Sequence, residues 1–450
     1  YGDHRDLHSF PTRRSPILDA IYLAHADNNI KEVIEIKESS FEQGGMIHSK
    51  TAGKYEIVEE NPKAAQSFQN MFENADVYGK IRAAYIDSAH KISPKTKYQK
   101  RASAIGGELG ITTAEYNDIS INGVFTVSQS LSFLNPSKKD LNEDFFGKNV
   151  DSYAYLSQFS IDYNKDGVRA RAGRIKIETP YANSDDIRMA ANTFEGIDIR
   201  YDYDQNLKID MFYINRWAGY DSQDEDSLLY QDSFKKLVDN GSFGMSGISL
   251  TYKYDKESEA TIWYNYIDKM CSILYSEIIG IYFTKYEDFH IDYGLQVSMI
   301  NELENSNIDG DVFGAMLIFH YGNVFFGGAY NIAVVDEGNQ ITNGFGGGPY
   351  YTSLDEATIS AVSEALPGEN AKAFRVGVGY EFKDDYLDGA VLELVYGKLY
   401  NNTGAIYEKN ILLSYEYNER LNIEATYAKY DCTCDKNNFE RYLFRLDYKF

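Results

Sequence analysis

Three kinds of residue in this 450-residue sequence could carry chemistry. The first is sulfur and imidazole. Cys432-Thr-Cys434 has the spacing of a metal or redox pair, but no histidine or second cysteine pair lies near it at zinc-ligand spacing. A free or strained pair on a surface turn is the simpler reading, and Cys271 stands apart. The seven histidines are scattered, with His290 and His320 falling singly inside alternating stretches, where a histidine is more often structural than catalytic. No Ser/His/Asp or Cys/His constellation emerges. No catalysis, metal or cofactor is therefore expected.

The second kind is glycine. The stretch GFGGGPYY at 344–351 invites a phosphate-loop reading, yet it lacks the Gly-Lys-Ser/Thr ending and no helix follows to present N–H groups to a phosphate. It reads instead as a tight loop packing its backbone against other structure, with Tyr350 and Tyr351 as candidate lining residues. The third kind is charge. Lys80, Arg82, Arg169, Arg171, Arg200, Arg216, Arg375, Arg441 and Arg445 all stand on the polar side of an alternating stretch. Arginine keeps its charge and grips carboxylates with a planar fork. The chain as a whole carries a formal charge of −24, which argues against nucleic acid as a partner, since phosphate binding needs a clustered basic surface. Much of the acid lies in connecting pieces such as YDSQDEDSLLYQD, whose usual role is a solvated face.

The elements that must position these residues are strands. Tyr (39) and Phe (25) are abundant while Pro (8) and Trp (2) are scarce, a balance suited to pleated sheet. From Val77 onward the text runs at period two: VYGKIRAAYID sets Val77, Ile81, Ala83 and Tyr85 against Lys80 and Arg82. SYAYLSQFSIDY puts Tyr153, Tyr155, Phe159, Ile161 and Tyr163 on one face, and GIDIRYDY separates Ile197, Ile199, Tyr201 and Tyr203 from Asp198, Arg200 and Asp202. About eighteen such segments follow one another, each roughly the ten residues that a tilted strand needs to cross a bilayer.

Short turns at 164–167, 204–206, 255–258, 286–288, 321–323 and 418–420 alternate with longer pieces near 129–152, 178–193, 217–245, 334–371 and 431–440. That asymmetry predicts an all-β transmembrane antiparallel barrel of about eighteen strands, with short periplasmic turns and long external loops. Tyrosines at strand ends suit the membrane interface. No run of eighteen apolar residues offers a transmembrane helix.

The amino-terminal part reads differently. Residues 1–26 look like a non-native leader followed by a signal-peptide remnant, with ILDAIYLAHADNN ending in a small-x-small cleavage pattern. Residues 27–75 form a polar segment with a short helix expected around NPKAAQSFQNMFENA, capped by Asn61 with Pro62 at its first position. Residues 76–450 are the barrel. The last strand, RYLFRLDYKF, sets Tyr442, Phe444, Leu446, Tyr448 and Phe450 opposite Arg441, Arg445, Asp447 and Lys449, and is expected to close the sheet against VYGKIRAAYID.

Three passages resemble the OprD-type family of substrate-specific outer-membrane porins: ADVYGKIRAAYID, GRIKIETPYANSDDIRMAANTFEGIDIRYDY, and NGFGGGPYYTSLDEATI followed by FRVGVGYEF. The resemblance spans about residues 70–450. It implies a bacterial outer-membrane channel, in contact with outer-membrane lipid, that passes small charged solutes such as carboxylates or amino acids, as a monomer or trimer. It also implies a third external loop folded into the lumen. The strand count independently puts 178–193 between strands five and six, so Tyr181, Asn183, Ser184, Asp185, Asp186 and Arg188 become the candidate constriction. Asp185 and Asp186 would set up a transverse field across the gap, or cap a turn or pair with wall arginines to hold the loop, and the two roles are compatible. The family's ladder of basic residues maps onto the nine lysine and arginine positions named above. A terminal Phe450 preceded by alternate aromatics resembles the signal read by the outer-membrane assembly machinery. Alternatives are a general cation-tolerant porin whose loops mediate surface contact, and a secreted β-rich adhesin.

Overall fold

Alternation at period two allows a sheet to present one apolar and one polar face, and the chain uses it over most of its length. The computed structural model describes residues 64–91, 97–222, 234–238, 241–286, 288–360, 370–383, 386–433 and 438–450. The expected leader, most of the 27–75 segment, Cys434 and most of the acidic 220–232 stretch lie outside the described residues. A short helix, Phe68–Glu73, precedes the sheet; its N-cap is Ser67, whose hydroxyl accepts from the Asn70 N–H. The expected cap Asn61 and the following Pro62 lie outside the described residues; this helix begins where Ser67 offers a capping oxygen directly before the apolar turn.

One antiparallel sheet contains nineteen strands, one of which is only the two-residue pair Lys235–Lys236. The others are β1 (Asp76–Lys91), β2 (Lys97–Thr112), β3 (Ile119–Ser130), β4 (Tyr153–Lys165), β5 (Val168–Ile175) and β6 (Thr193–Asp202). Next come β7 (Leu207–Ala218), β8 (Met245–Asp255), β9 (Ser258–Ile267), β10 (Cys271–Phe283), β11 (Phe289–Glu302) and β12 (Gly310–Tyr321). The last are β13 (Val324–Val334), β14 (Ala371–Glu381), β15 (Ala390–Tyr400), β16 (Ala405–Asn418), β17 (Leu421–Cys432) and β18 (Asn438–Lys449). Each pairs with its sequence neighbour, and β18 returns to β1 in the register Lys80↔Lys449 through Lys91↔Asn438. Gly79 and Phe450 complete the seam by exchanging two backbone hydrogen bonds of 3.0 Å. This is the closed, eighteen-stranded barrel expected from the strand rhythm.

The outer face is a band of exposed large apolar side chains, among them Leu250, Ile262, Leu295, Leu317, Leu394 and Ile411. Such a surface belongs in hydrocarbon. Exposed Tyr254, Tyr282, Tyr321, Tyr417 and Tyr448 stand at strand ends beside the short turns, where a ring can be half buried while its hydroxyl stays wet. The connections 166–167, 256–257, 322–323 and 419–420 are two-residue turns at that rim. Long connections at 131–152, 176–192, 219–244 and 335–370 leave the opposite rim. The expected long piece at 431–440 is instead the short connection 433–437, because β17 and β18 continue further along their ladder. Cys432 is disulfide-bonded, and Cys271 is free and buried.

Two bulges reverse the phase of the alternation. Val124 pairs with Gln158 and Phe125 with Leu156, which leaves Ser157 as an extra residue. Tyr153 and Tyr155 therefore turn inward, while Phe159, Ile161 and Tyr163 stay outside, so the five aromatic and apolar positions do not share a face. Between Glu195 and Gly196 the register slips again, with Asn215 as the extra residue on β7. Arg216 is thereby turned outward and Trp217 inward.

Inside, Phe325 on β13 lies across Gly379 on β14, where an added Cβ would come within 1.8 Å of the ring. Gly379→Val should cost roughly 1–3 kcal/mol by overpacking. It should lower the midpoint of the heat-dependent mobility shift of the folded barrel in SDS gels; an unchanged midpoint would contradict this packing.

Candidate functional site

The 176–192 and 335–370 connections fold into the barrel and meet each other there. Ala182 and Phe345 form a parallel bridge. Asn183 N–H donates to the Phe345 carbonyl at 3.1 Å, Phe345 N–H to the Tyr181 carbonyl at 2.8 Å, and Gly347 N–H to Asn183 Oδ1 at 3.1 Å. The glycines follow from this contact. Gly344 has φ +76°, and a Cβ there would meet the Tyr181 carbonyl oxygen at 2.1 Å. Only a residue without a side chain lets the second backbone pass so close. The Tyr181 hydroxyl sits 2.5 Å from Ser298 Oγ and 3.2 Å from the Tyr350 hydroxyl. The Tyr351 hydroxyl donates to Glu277 at 2.7 Å. Tyr181, Tyr350 and Tyr351 are all buried, so the last two pack the loop rather than line a passage. Burial pushes the Tyr181 phenol up, which keeps it a neutral donor.

The second feature of the 176–192 loop is a charge hub at its tip. Arg82 on β1 is gripped from two sides. Asp447, its direct partner on β18, accepts from Nε at 2.8 Å and Nη2 at 2.6 Å, and Asp186 accepts from Nη1 at 2.6 Å and Nη2 at 2.9 Å. Lys80 adds a 2.6 Å contact to Asp186. Burial alone would raise the Asp186 carboxyl, but Arg82 and Lys80 outweigh it and hold the group well below the usual carboxylate range. Arg445 is fixed by Glu424 at 2.6 Å and donates to the Asp186 carbonyl oxygen. Asp186 therefore holds the loop to the wall, one of the two roles expected of it. Asp185, partly exposed, takes φ +37° and accepts at its carbonyl from the Ile187 N–H.

Arg188 ties several connections together. It reaches Asp144 of the 131–152 connection at 3.2 Å and Glu356 of the 335–370 connection at 3.3 Å, and its guanidinium lies 4.6 Å from the Tyr220 ring centroid. Arg441 on β18 pairs with Asp355 and Glu356. Glu408 on β16 accepts from the backbone N–H groups of Glu356 and Ala357. Ser184 is buried, and its N–H points to the Glu178 carboxylate.

Of the nine basic positions, eight face inward, and they divide by accessibility. Arg82, Arg375, Arg441 and Arg445 are fully buried, and Arg375 donates to the Ser353 carbonyl at 3.0 Å. Arg169, Arg171 and Arg200 keep side-chain exposures of 31%, 12% and 18%. Lys80 keeps 13%. Each has an acidic neighbour: Arg171 meets Asp198 at 2.7 Å, Arg200 meets Asp210 at 2.8 Å, and Arg169 lies 3.7 Å from Asp202. Arg216 is the exception. It lies on the outward phase beyond the β6–β7 bulge, beside Glu195 and the Phe234 carbonyl, because one extra residue turns every later side chain over. Sequence reasoning missed Asp355, Glu356, Glu408, Glu108 and Lys176, of which the last two approach to 3.6 Å on the inner side. Glu108, set against Ile105, Leu109 and Ile111 on the other phase, could have been found from the alternation, whereas Glu408 shares its phase with Ile406 and Leu412 and nothing local marks Asp355 or Glu356.

A closed barrel with an apolar exterior, short turns at one rim and external loops folded onto a charged interior is the architecture of an outer-membrane β-barrel with a porin-type fold. Solved structures agree. The chain is similar to OccK9 (OpdG) of Pseudomonas aeruginosa, with a TM-score of 0.70 at 12% identity over 84% of this chain and 99% of that one. It is similar to OpdK of the same organism solved with vanillate, at 0.69 and 13% over 84% and 99%. It also resembles OccAB2 of Acinetobacter baumannii, at 0.67 and 15% over 85% and 99%. The fold is that of the OprD-type porins. No protein-family model matches the sequence, and no curated protein matches it.

Asp186→Asn should free the loop tip while leaving Arg82 its Asp447 partner. Breaking a buried pair costs on the order of 3 kcal/mol, a loss that falls on the docking of the loop and leaves the strand ladders paired. The expected result is greater open-channel noise and faster proteolysis within 176–192, with the barrel's melting midpoint little changed; quiet channels would contradict the clamp. The sign of the Asp186 shift sets the pH window: the clamp is fully present above about pH 4 and is lost only as pH falls through the depressed folded value. Channel noise in the wild type should therefore stay flat from neutral pH to about pH 4 and rise only below it.

Proposed function

We propose that the chain forms a passive, moderately selective diffusion channel for small charged solutes, with carboxylates and amino acids foremost, and that it catalyses no reaction. The observation that carries this reading is the set of partly exposed guanidinium groups on the inner face of β5 and β6: Arg169, Arg171 and Arg200. A passing carboxylate can exchange with the acidic neighbour of each arginine in turn. Several weak sites in series allow both entry and exit, whereas one deep site would trap the solute. The neighbouring OpdK was solved with vanillate, an aromatic carboxylate, which supports the same class of solute here.

The pairing itself favours a second reading. With Asp198, Asp202 and Asp210 beside those arginines, the wall is close to neutral, and a channel of low selectivity that tolerates cations would have the same appearance.

Reversal potentials across planar bilayers in asymmetric salt separate the two. Preference for anions, reduced several-fold in the Arg169→Ala, Arg171→Ala double variant, is the expected outcome. Strong cation preference, or a double variant with unchanged ion ratios, would remove the arginines from the role. Liposome swelling with organic acids, amino acids and sugars then ranks the solutes.

A further inference from the structure

The register of the sheet joins two residues that the sequence keeps far apart. His290 on β11 and His320 on β12 are direct cross-strand partners, with their rings stacked 4.3 Å apart at 10°. Both share the inward phase with Gln296, Ser298 and Val312, which are buried against the loops further up the barrel. Asp292, two residues from His290 and therefore on the same face, places Oδ2 3.2 Å from His320 Nε2 and Oδ1 3.9 Å from His290 Nε2. The single ligand atoms these three can offer lie within 4.8 Å of one another. Phe283 stands opposite His290 and Phe325 opposite His320, so four rings cross four adjacent strands in a row. Side-chain exposures of 33%, 14% and 11% for His290, Asp292 and His320 leave the group reachable from the channel near the short-turn rim.

We propose that His290, Asp292 and His320 form a binding site for a divalent transition cation, of which zinc and copper are the type cases. Two imidazole nitrogens and one carboxylate oxygen are a borderline-soft donor set that suits these ions, whereas calcium and magnesium require oxygen ligands throughout. With metal–ligand bonds of about 2.0–2.2 Å, donor atoms around a tetrahedral ion stand roughly 3.3 Å apart. The 3.2 Å between His320 Nε2 and Asp292 Oδ2 already meets that spacing, while the 3.9 Å from His290 Nε2 runs to the other carboxylate oxygen. With one ligand atom per residue all within 4.8 Å of one another, a small rotation of the side chains brings the set together. The flanking Phe283 and Phe325 limit how far the imidazoles can turn away. Three protein ligands leave a fourth position open toward the lumen, for water or an anionic group, so an occupied site adds two positive charges to the wall beside the exit. The competing account is a stacked imidazole pair hydrogen-bonded to Asp292, with no affinity for metal.

The test uses the full chain in detergent, without a histidine tag and stripped with chelator, titrated with Zn²⁺ by calorimetry and with Cu²⁺ by electron paramagnetic resonance. One equivalent per chain is expected, with nitrogen hyperfine structure from two imidazoles. His290→Gln and His320→Gln should each weaken binding by roughly 100-fold and remove one nitrogen from the spectrum, and Asp292→Asn should weaken it by about 10-fold. The heat-dependent mobility shift of each variant shows whether the barrel still forms. Absence of stoichiometric binding would overturn the proposal. So would binding that survives in the folded His290→Gln, His320→Gln double variant, or that millimolar Ca²⁺ displaces, since either places the metal elsewhere. The outcome does not depend on ion selectivity, so this proposal and the channel reading can fail separately.

Discussion

Everything in this structure depends on one constraint: no backbone N–H or C=O can be left unpaired in hydrocarbon. A single sheet meets that condition only if its first and last strands find each other. Here β1 and β18 do so over twelve register pairs from Lys80↔Lys449 to Lys91↔Asn438, and Gly79 and Phe450 extend the seam to the end of the chain. Closure then dictates the period-two text, because each strand has one side in lipid and the other in the enclosed space. The apolar exterior and charged interior are two consequences of the same pairing.

Enclosure creates a second problem, which the loops solve. An empty interior would be water throughout, but Tyr181, Phe345, Tyr350, Tyr351 and Leu354 pack against inner-wall residues such as Trp217, Trp263, Tyr275 and Met316 in one apolar cluster. Loop packing removes water from the nearby charges, so those charges need partners. Arg82 has Asp447 and Asp186, Arg445 has Glu424, and Arg441 has Asp355 and Glu356. Such buried pairs contribute little net stability but strongly fix position. Their main effect is to set where the loops sit and hence what space remains.

Much of this was legible in the sequence, and the exceptions have common causes. Strand faces, strand number and the position of the loop between β5 and β6 could be read because alternation and turn residues are local signals, whereas its inward fold was implied only by the family resemblance. Tyr153, Tyr155 and Arg216 were misassigned because a bulge inserts one residue without altering composition, and every side chain beyond it then changes face. The pairing of Gly344 and Gly346 with Tyr181 and Asn183 was hidden for another reason: it depends on two connections meeting in space. His290 and His320 looked solitary because cross-strand register, rather than sequence distance, makes them neighbours.

The division of the interior bears directly on how the proposed channel would select. The apolar loop package rests mainly on the inner faces of β7 to β16, whereas Lys80, Glu108, Arg169, Arg171, Asp198 and Arg200 lie on β1, β2, β5 and β6 and remain partly exposed. In the proposed channel, a solute would therefore meet charge on one side and packed loop on the other. An arginine already paired with an aspartate binds an incoming carboxylate only by the difference between the two partners, so each site is shallow. Shallow sites in sequence favour rapid passage over tight binding. The strongly gripped arginines hold the shape of the enclosed space; in the proposed channel, the loosely gripped ones would be left to act on what moves through it.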